Sequence, residues 1–185
     1  LRFPDLVPES LVSQNPATLR AFTEELGAVV VKPLDGNGGA GLFIVRADDP
    51  NIGVILEMST NHGAIKVMAQ RYLPEAREGD KRIILVDGEA VGACLRVPTG
   101  VDHRANIHVG ARCERSPLTA RDLEICARIG PDLKNAGQIF VGIDVIGEYL
   151  TEVNVTSPTG IRELDRLCGI NIGRDVIDAI AKKLA

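Results

Sequence analysis

The chain has 185 residues, 45% of them hydrophobic and 25% charged, with a formal net charge of −4. That balance is ordinary for a globular domain, and the acidic excess argues against a dedicated nucleic-acid binder, which carries a basic face. Four Phe, two Tyr and no Trp leave few platforms for stacking bases, and no apolar run approaches the length needed to cross a bilayer.

In chain order, residues 8–13 read as the end of a strand. Asn15-Pro16 supplies an N-cap and a first-turn proline for a helix over 16–26 that stops at Gly27. A strand, a glycine-rich loop and a second strand follow over 29–46. A helix over 50–61 is weakened by Gly53, and 67–73 is a strand ended by Pro74. Residues 82–86 and 90–97 flank Asp87-Gly88, a short-hairpin signal. The polar stretch 98–116 is too long for a simple turn and reads as a functional loop. Thr119 opens a helix of roughly a dozen and a half residues with Leu123, Ala127 and Leu133 among its apolar positions. Two strands, 139–146 and 149–155, join at Gly147-Glu148, and 171–185 is an amphipathic final helix. The expected class is α+β, an α/β sandwich in two lobes.

Two clusters carry chemistry. In the second hairpin, strand alternation points Glu152 and Asn154 the same way and turns Val153 and Val155 towards a core. The fold-back brings Asp144 beside them. Two carboxylates and an amide oxygen form a hard-ligand set suited to Mg²⁺. Upstream, Lys32-Pro33 precedes Gly36, Gly38, Gly39 and Gly41. Four glycines in six positions let backbone N–H groups approach phosphate oxygens, with the Lys32 ammonium near them. The loop opens no helix and lacks both the Gly-Lys-Ser/Thr of a P-loop and the G-x-G-x-x-G spacing. A glycine hairpin alone is more often a plain turn, and an isolated E-x-N is more often a solvated strand face.

The remaining chemistry is sparse. Cys94, Cys113, Cys126 and Cys168 are scattered without a C-x-x-C pair, which argues against zinc and for reduced thiols in a cytoplasmic protein. His62, His103 and His108 offer no triad, and there is no G-x-S-x-G. Covalent catalysis finds no support. Leu1-Arg2-Phe3-Pro4 begins no signal peptide, and a start on Leu suggests part of something longer.

Taken together, Lys32-Pro33-Leu34-Asp35-Gly36-x-Gly38-Gly39, Ala69-Gln70-x-Tyr72-Leu73-Pro74, Gly79-Asp80-Lys81-Arg82 and Thr151-Glu152-Val153-Asn154-Val155-Thr156-Ser157-Pro158-Thr159 resemble the bacterial glutathione synthetase family in order and spacing. The resemblance implies the ATP-grasp fold, with nucleotide held between antiparallel sheets. It implies a smaller lobe over 1–70 bearing the glycine loop and a C-terminal lobe over 71–185 bearing the metal site and the long loop 97–116. It also implies an N-terminal substrate domain that this chain lacks. The implied reaction joins γ-glutamylcysteine to glycine through an acyl phosphate and consumes ATP, with Mg²⁺, or Mn²⁺ in its place. No nucleic acid or membrane partner is implied, and the full-length protein is expected to be a homo-oligomer.

By the same resemblance, Lys32, Gly36, Gly38 and Gly39 contact ATP phosphates. The backbone of Gln70, Tyr72 and Leu73 receives adenine, and Asp80 the ribose. Asp144, Glu152 and Asn154 match the metal ligands. Arg82 contacts phosphate or substrate, and Arg96 is a candidate for stabilising the acyl phosphate, whose planar anion a guanidinium fits. Arg104 and Asn106 fall at matching positions of the long loop. Ser157, Pro158 and Thr159 lie where a peptide carboxylate is held. The loop is poorer in glycine than in some relatives, and Asn37 replaces an apolar residue. Two alternatives remain open: another ATP-grasp ligase, of the ribosomal-protein glutamate ligase or D-alanine ligase type, and a nucleotide-binding module without turnover.

Overall fold

The computed structural model describes residues 2–35, 40–98 and 112–184, which fall into two compact units, Leu1–Pro74 and Glu75–Ala185. Gly36, Gly38, Gly39, Arg104 and Asn106 lie outside the described residues.

The first unit is a four-stranded antiparallel sheet in the order β1-β4-β2-β3, from β1 (Ser10–Ser13), β2 (Ala28–Pro33), β3 (Phe43–Arg46) and β4 (Val67–Arg71). Two helices, α1 (Pro16–Leu26) and α2 (Ile52–Ser59), accompany it. The α1 start follows from local chemistry. The Asn15 side-chain oxygen accepts from the N–H groups of Ala17 and Thr18 at 2.9 and 3.3 Å, and Pro16 occupies the first turn. These bonds satisfy donors that the helix itself cannot. Leu19 of α1 and Ile52 and Leu56 of α2 pack with Val29, Val31, Val45, Val67 and Ala69 into one core. Each of the Leu, Ile and Val side chains contributes about 1.5–3 kcal/mol on leaving water. Alternation then puts Lys32, Met68 and Gln70 on the sheet face away from those helices.

The second unit is a five-stranded antiparallel sheet, β7-β6-β5-β8-β9. Its strands are β5 (Asp80–Val86), β6 (Glu89–Val97), β7 (Arg112–Arg115), β8 (Phe140–Ile146) and β9 (Tyr149–Asn154). Strands β5 and β6 join through Asp87 and Gly88, both at positive φ (49° and 87°), the conformation a two-residue hairpin with matched strand twist requires. Helix α3 (Ala120–Asn135) begins with a capping box: the Thr119 hydroxyl accepts from the Asp122 N–H and the Asp122 carboxylate from the Thr119 N–H. Helices α4 (Ile161–Cys168) and α5 (Ile172–Leu184) bring Leu164 and Ile172 against Ile84, Val86 and Cys94. No helix among the described residues is long and apolar enough to cross a membrane.

Several sequence expectations need correction. The end of the polar stretch 98–116 is strand β7, which pairs with β6 from Cys94↔Arg115 to Val97↔Arg112. The buried face of α3 is Ile125, Cys126, Ile129 and Gly130 with Asp122, whereas Leu123 (52% exposed) and Ala127 face solvent. Val153 and Val155 are both 42% exposed. Val153 sits on the edge strand β9, away from β6, where α3 packs, and Val155 lies beyond the strand's end. Helix α4, between Gly160 and Gly169, was not anticipated. Its apolar residues Ile161, Leu164 and Cys168 recur at helical spacing.

Candidate functional site

One face of the second sheet gathers the charged residues. Register pairs Asp80 with Arg96, Arg82 with Asp144, and Asp144 with Glu152, and Asn154 pairs with Gly142 two residues along. Directly paired residues on antiparallel strands share a face, so Asp80, Arg82, Arg96, Asp144, Glu152 and Asn154 all project the same way.

The buried centre is a chain of ion pairs. Arg82, 5% exposed, clasps Asp144, 3% exposed, with Nε to Oδ1 at 2.5 Å and Nη2 to Oδ2 at 2.9 Å. Arg96 clasps Asp80 with Nε to Oδ1 at 2.5 Å and Nη2 to Oδ2 at 2.6 Å, and its Nη2 also lies 2.9 Å from Asp144 Oδ2. Two guanidinium groups thus alternate with two carboxylates, and the charges cancel within the cluster. Such bidentate forks fix orientation as well as charge. Burial pushes the Asp80 carboxyl up, to about 6, against the pull of Arg96. Burial alone would lower Arg96, but the carboxylates of Asp80 and Asp144 outweigh it and hold the guanidinium protonated.

Around Asp144 the second hairpin supplies further polar groups. Asn154 Nδ2 donates to Asp144 Oδ2 at 3.4 Å, and Thr151 Oγ1 donates to the Asp144 carbonyl at 3.1 Å. Glu152 is exposed directly across from Asp144. Among the described residues no group of three or more His, Cys, Asp or Glu gathers as a metal site. The Asp144 set has instead two carboxylates and one amide on adjacent strands, and this all-oxygen donor chemistry fits Mg²⁺.

Beyond β9 the chain turns at Ser157, a non-glycine residue at φ 49°. Pro158 is buried between exposed Ser157 and Thr159. Arg82 Nη1 donates to the Thr159 carbonyl at 3.0 Å. Arg82 therefore bridges the Asp144 carboxylate and the 157–159 segment. Sequence reasoning did not find this tether or the seat of Pro158 on Gly142. A glycine inside the apolar run 139–146 was the available signal, since strand-interior glycine marks a close approach.

In the first unit, Lys32 is half-buried on β2 opposite Met68. Gln70 is buried on β4 and its Nε2 donates to Ser10 Oγ at 2.9 Å, so its side chain serves the β1 edge. The Tyr72 N–H donates to the Ala28 carbonyl at 3.1 Å, the Arg46 guanidinium lies 5.8 Å from the Tyr72 ring centroid, and Leu73 is buried.

All four cysteines are unpaired. Burial raises Cys126 to about 11 and Cys94 beyond that, which leaves both thiols inert near neutrality.

Residues 1–169 match the family model for the ATP-grasp domain of prokaryotic glutathione synthetase. The chain is 56% identical over 180 residues to the glutathione synthetase of Synechococcus elongatus, covering 97% of this chain and 56% of that protein. Against the glutathione synthetase of Brucella melitensis it is 55% identical over 178 residues, covering 96% and 57%. The chain thus spans a little over half the length of these curated relatives. Among solved structures, it resembles the ATP-grasp ligase PsnB complexed with minimal precursor, Mg and ADP (TM-score 0.67, 19% identity, 97% of this chain and 54% of that one). It also resembles the D-alanine–D-alanine ligase of Bacillus anthracis complexed with ATP (TM-score 0.64, 18% identity, 98% and 62%). The two antiparallel sheets with their helices are the ATP-grasp fold, and the chain belongs to the prokaryotic glutathione synthetase family.

Proposed function

We propose that the full-length protein is an ATP-dependent carboxylate–amine ligase that joins γ-glutamylcysteine to glycine, giving glutathione, ADP and phosphate. One observation above all supports this reading. Asp80, Arg82, Arg96, Asp144, Glu152 and Asn154 share one sheet face, and Arg82 of that set also holds the Thr159 carbonyl. A nucleotide-binding module without turnover has no use for a complete oxygen-ligand set wired to a substrate segment.

In this reading Lys32 and the glycine loop 36–41 hold the ATP phosphates. Backbone groups of Gln70, Tyr72 and Leu73 receive adenine, and Asp80 orients the ribose. Asp144, Glu152 and Asn154 hold Mg²⁺, or Mn²⁺ in its place. When bound, the cation would supply positive charge to offset that of the phosphate groups. Arg82 and Arg96 fix the Asp144 carboxylate in one orientation, so no reorganisation is needed as charge moves. Ser157, Pro158 and Thr159 position the cysteinyl carboxylate of γ-glutamylcysteine.

That carboxylate attacks the γ-phosphorus of ATP, ADP departs, and an acyl phosphate forms on the substrate. Arg96 and Arg104 stabilise its charge, and Asn106 with the segment between β6 and β7 keeps water out. Glycine's amine then displaces phosphate. No protein nucleophile takes part, and the raised thiols of Cys94 and Cys126 suit none. The reaction is assigned to the cytoplasm, where unpaired thiols persist.

The test is ADP release by the full-length protein with ATP, Mg²⁺, γ-glutamylcysteine and glycine, each omitted in turn. Release that needs all four supports the ligase. Release without glycine points to another amine acceptor or to hydrolysis of the acyl phosphate, and no release with the full set refutes the proposal.

A further inference from the structure

We propose that Gly142 is a positioning residue for the carboxylate substrate: it is the seat on which Pro158 fixes the Ser157–Thr159 segment. The role rests on the ligase function proposed above.

Gly142 lies in the interior of β8, a buried strand flanked by β5 and β9, where glycine weakens a strand and packs nothing. Its backbone is outside the left-handed region, so conformation does not call for glycine. Space does. A Cβ at 142 would stand 2.6 Å from Pro158 Cβ, 3.3 Å from Pro158 Cγ and 3.1 Å from Arg82 Nη1. The guanidinium end can give a little, but the pyrrolidine ring cannot bend away. The gap between Ile84 on β5 and Asn154 on β9, the two register partners of Gly142, is filled by that ring in place of a side chain.

The segment is pinned at three successive residues. Ser157 holds a positive φ of 49°, Pro158 is buried against Gly142, and the Thr159 carbonyl accepts from Arg82 Nη1 at 3.0 Å. A strained non-glycine conformation persists only where its surroundings over-determine it, and the ring and the guanidinium supply that determination. The exposed–buried–exposed pattern over 157–159 then presents two hydroxyl residues on either side of a fixed point. Because Arg82 also clasps Asp144, the same arrangement sets the segment's register against the metal-ligand carboxylate.

Gly142→Ala forces Pro158 back by about 1 Å to reach ordinary carbon–carbon contact. A misplacement of that size costs about ten- to a hundred-fold in a reaction that depends on alignment. In full-length protein, G142A is expected to raise KM for γ-glutamylcysteine by about ten-fold or more while KM for ATP stays within about two-fold. P158G, which removes the ring, gives the same split. In the double variant G142A/P158G the added methyl meets only the yielding end of the Arg82 guanidinium, so its KM stays close to that of P158G alone. Backbone hydrogen exchange over 156–161 is expected to rise in all three.

Additive losses in the double variant, equal losses in both KM values, or unchanged exchange in G142A would overturn the proposal. Wild-type protein inert towards γ-glutamylcysteine would overturn the ligase reading and the substrate role, and the exchange rates would still decide the seat. If G142A fails to fold, P158G carries the KM comparison, and wild-type values there refute the role.

Discussion

Arg82→Met separates the structural work of Arg82 from its charge. Methionine fills the volume of the side-chain stem but removes both bonds to Asp144 and the bond to the Thr159 carbonyl. Breaking a buried ion pair costs about 3–5 kcal/mol. The low end applies, because Arg96 Nη2 remains 2.9 Å from Asp144 Oδ2 and still compensates the charge. Stranding the Thr159 carbonyl adds about 1 kcal/mol, for a total of about 4 kcal/mol. Urea unfolding followed by circular dichroism gives the loss, with an unchanged denaturant slope. Hydrogen exchange at the β5 and β8 amides localises it. R82M/D144L removes the half-compensated carboxylate as well, and should recover about 2 kcal/mol relative to R82M, since an apolar pair replaces an ionic one. A loss below about 1 kcal/mol in R82M, or a double variant less stable than R82M, would refute a buried strut at this position.

Glu152→Gln keeps the volume of an exposed side chain, so stability should change by no more than about 0.5 kcal/mol while Mg²⁺-dependent ADP release disappears. Wild-type turnover would remove Glu152 from the metal site. Gly88→Ala meets two obstacles, a φ of 87° and a Cβ only 2.7 Å from the Gly130 carbonyl oxygen. It should cost about 2–4 kcal/mol in urea unfolding, and a neutral result would mean that α3 does not rest on the β5–β6 turn. Burial raises the Cys126 thiol to about 11, so at pH 8 about one molecule in a thousand carries the thiolate. Native protein should therefore label at Cys126 far more slowly than unfolded protein, with the rate climbing as pH approaches that value. Equal rates would place Cys126 in water.

Much of the site was legible because strand alternation is strict. Glu152 and Asn154 are two residues apart, so they had to share a face once 149–155 was a strand, whereas Asp80 was missed because its strand was read as starting at 82 and it starts at 80. Asp144 joined Glu152 and Asn154 because the Gly147-Glu148 turn is short enough to set the register. Partners across strands were not legible. Nothing local tells Arg82 to clasp Asp144 or Arg96 to clasp Asp80, since both pairings depend on which strands become neighbours. The exposed position of Val153 was misread for a related reason, and that of Leu123 was not foreseen. A valine on an edge strand and a leucine on a helix shoulder carry the same local pattern as buried ones, and only the arrangement of α3 over the sheet separates them. Helix α4 was lost to its length, since eight residues between two glycines fall below the span over which periodicity stands out from chance.

The measurement that bears most directly on the ligase account follows oxygen. Full-length protein is given ATP, Mg²⁺, glycine and γ-glutamylcysteine carrying ¹⁸O in its cysteinyl carboxylate, and the products are weighed by mass spectrometry. Transfer through an acyl phosphate predicts glutathione as product and one ¹⁸O in each phosphate released. Glutathione accompanied by unlabelled phosphate would contradict the acyl phosphate, and phosphate release without glutathione would contradict the ligase itself.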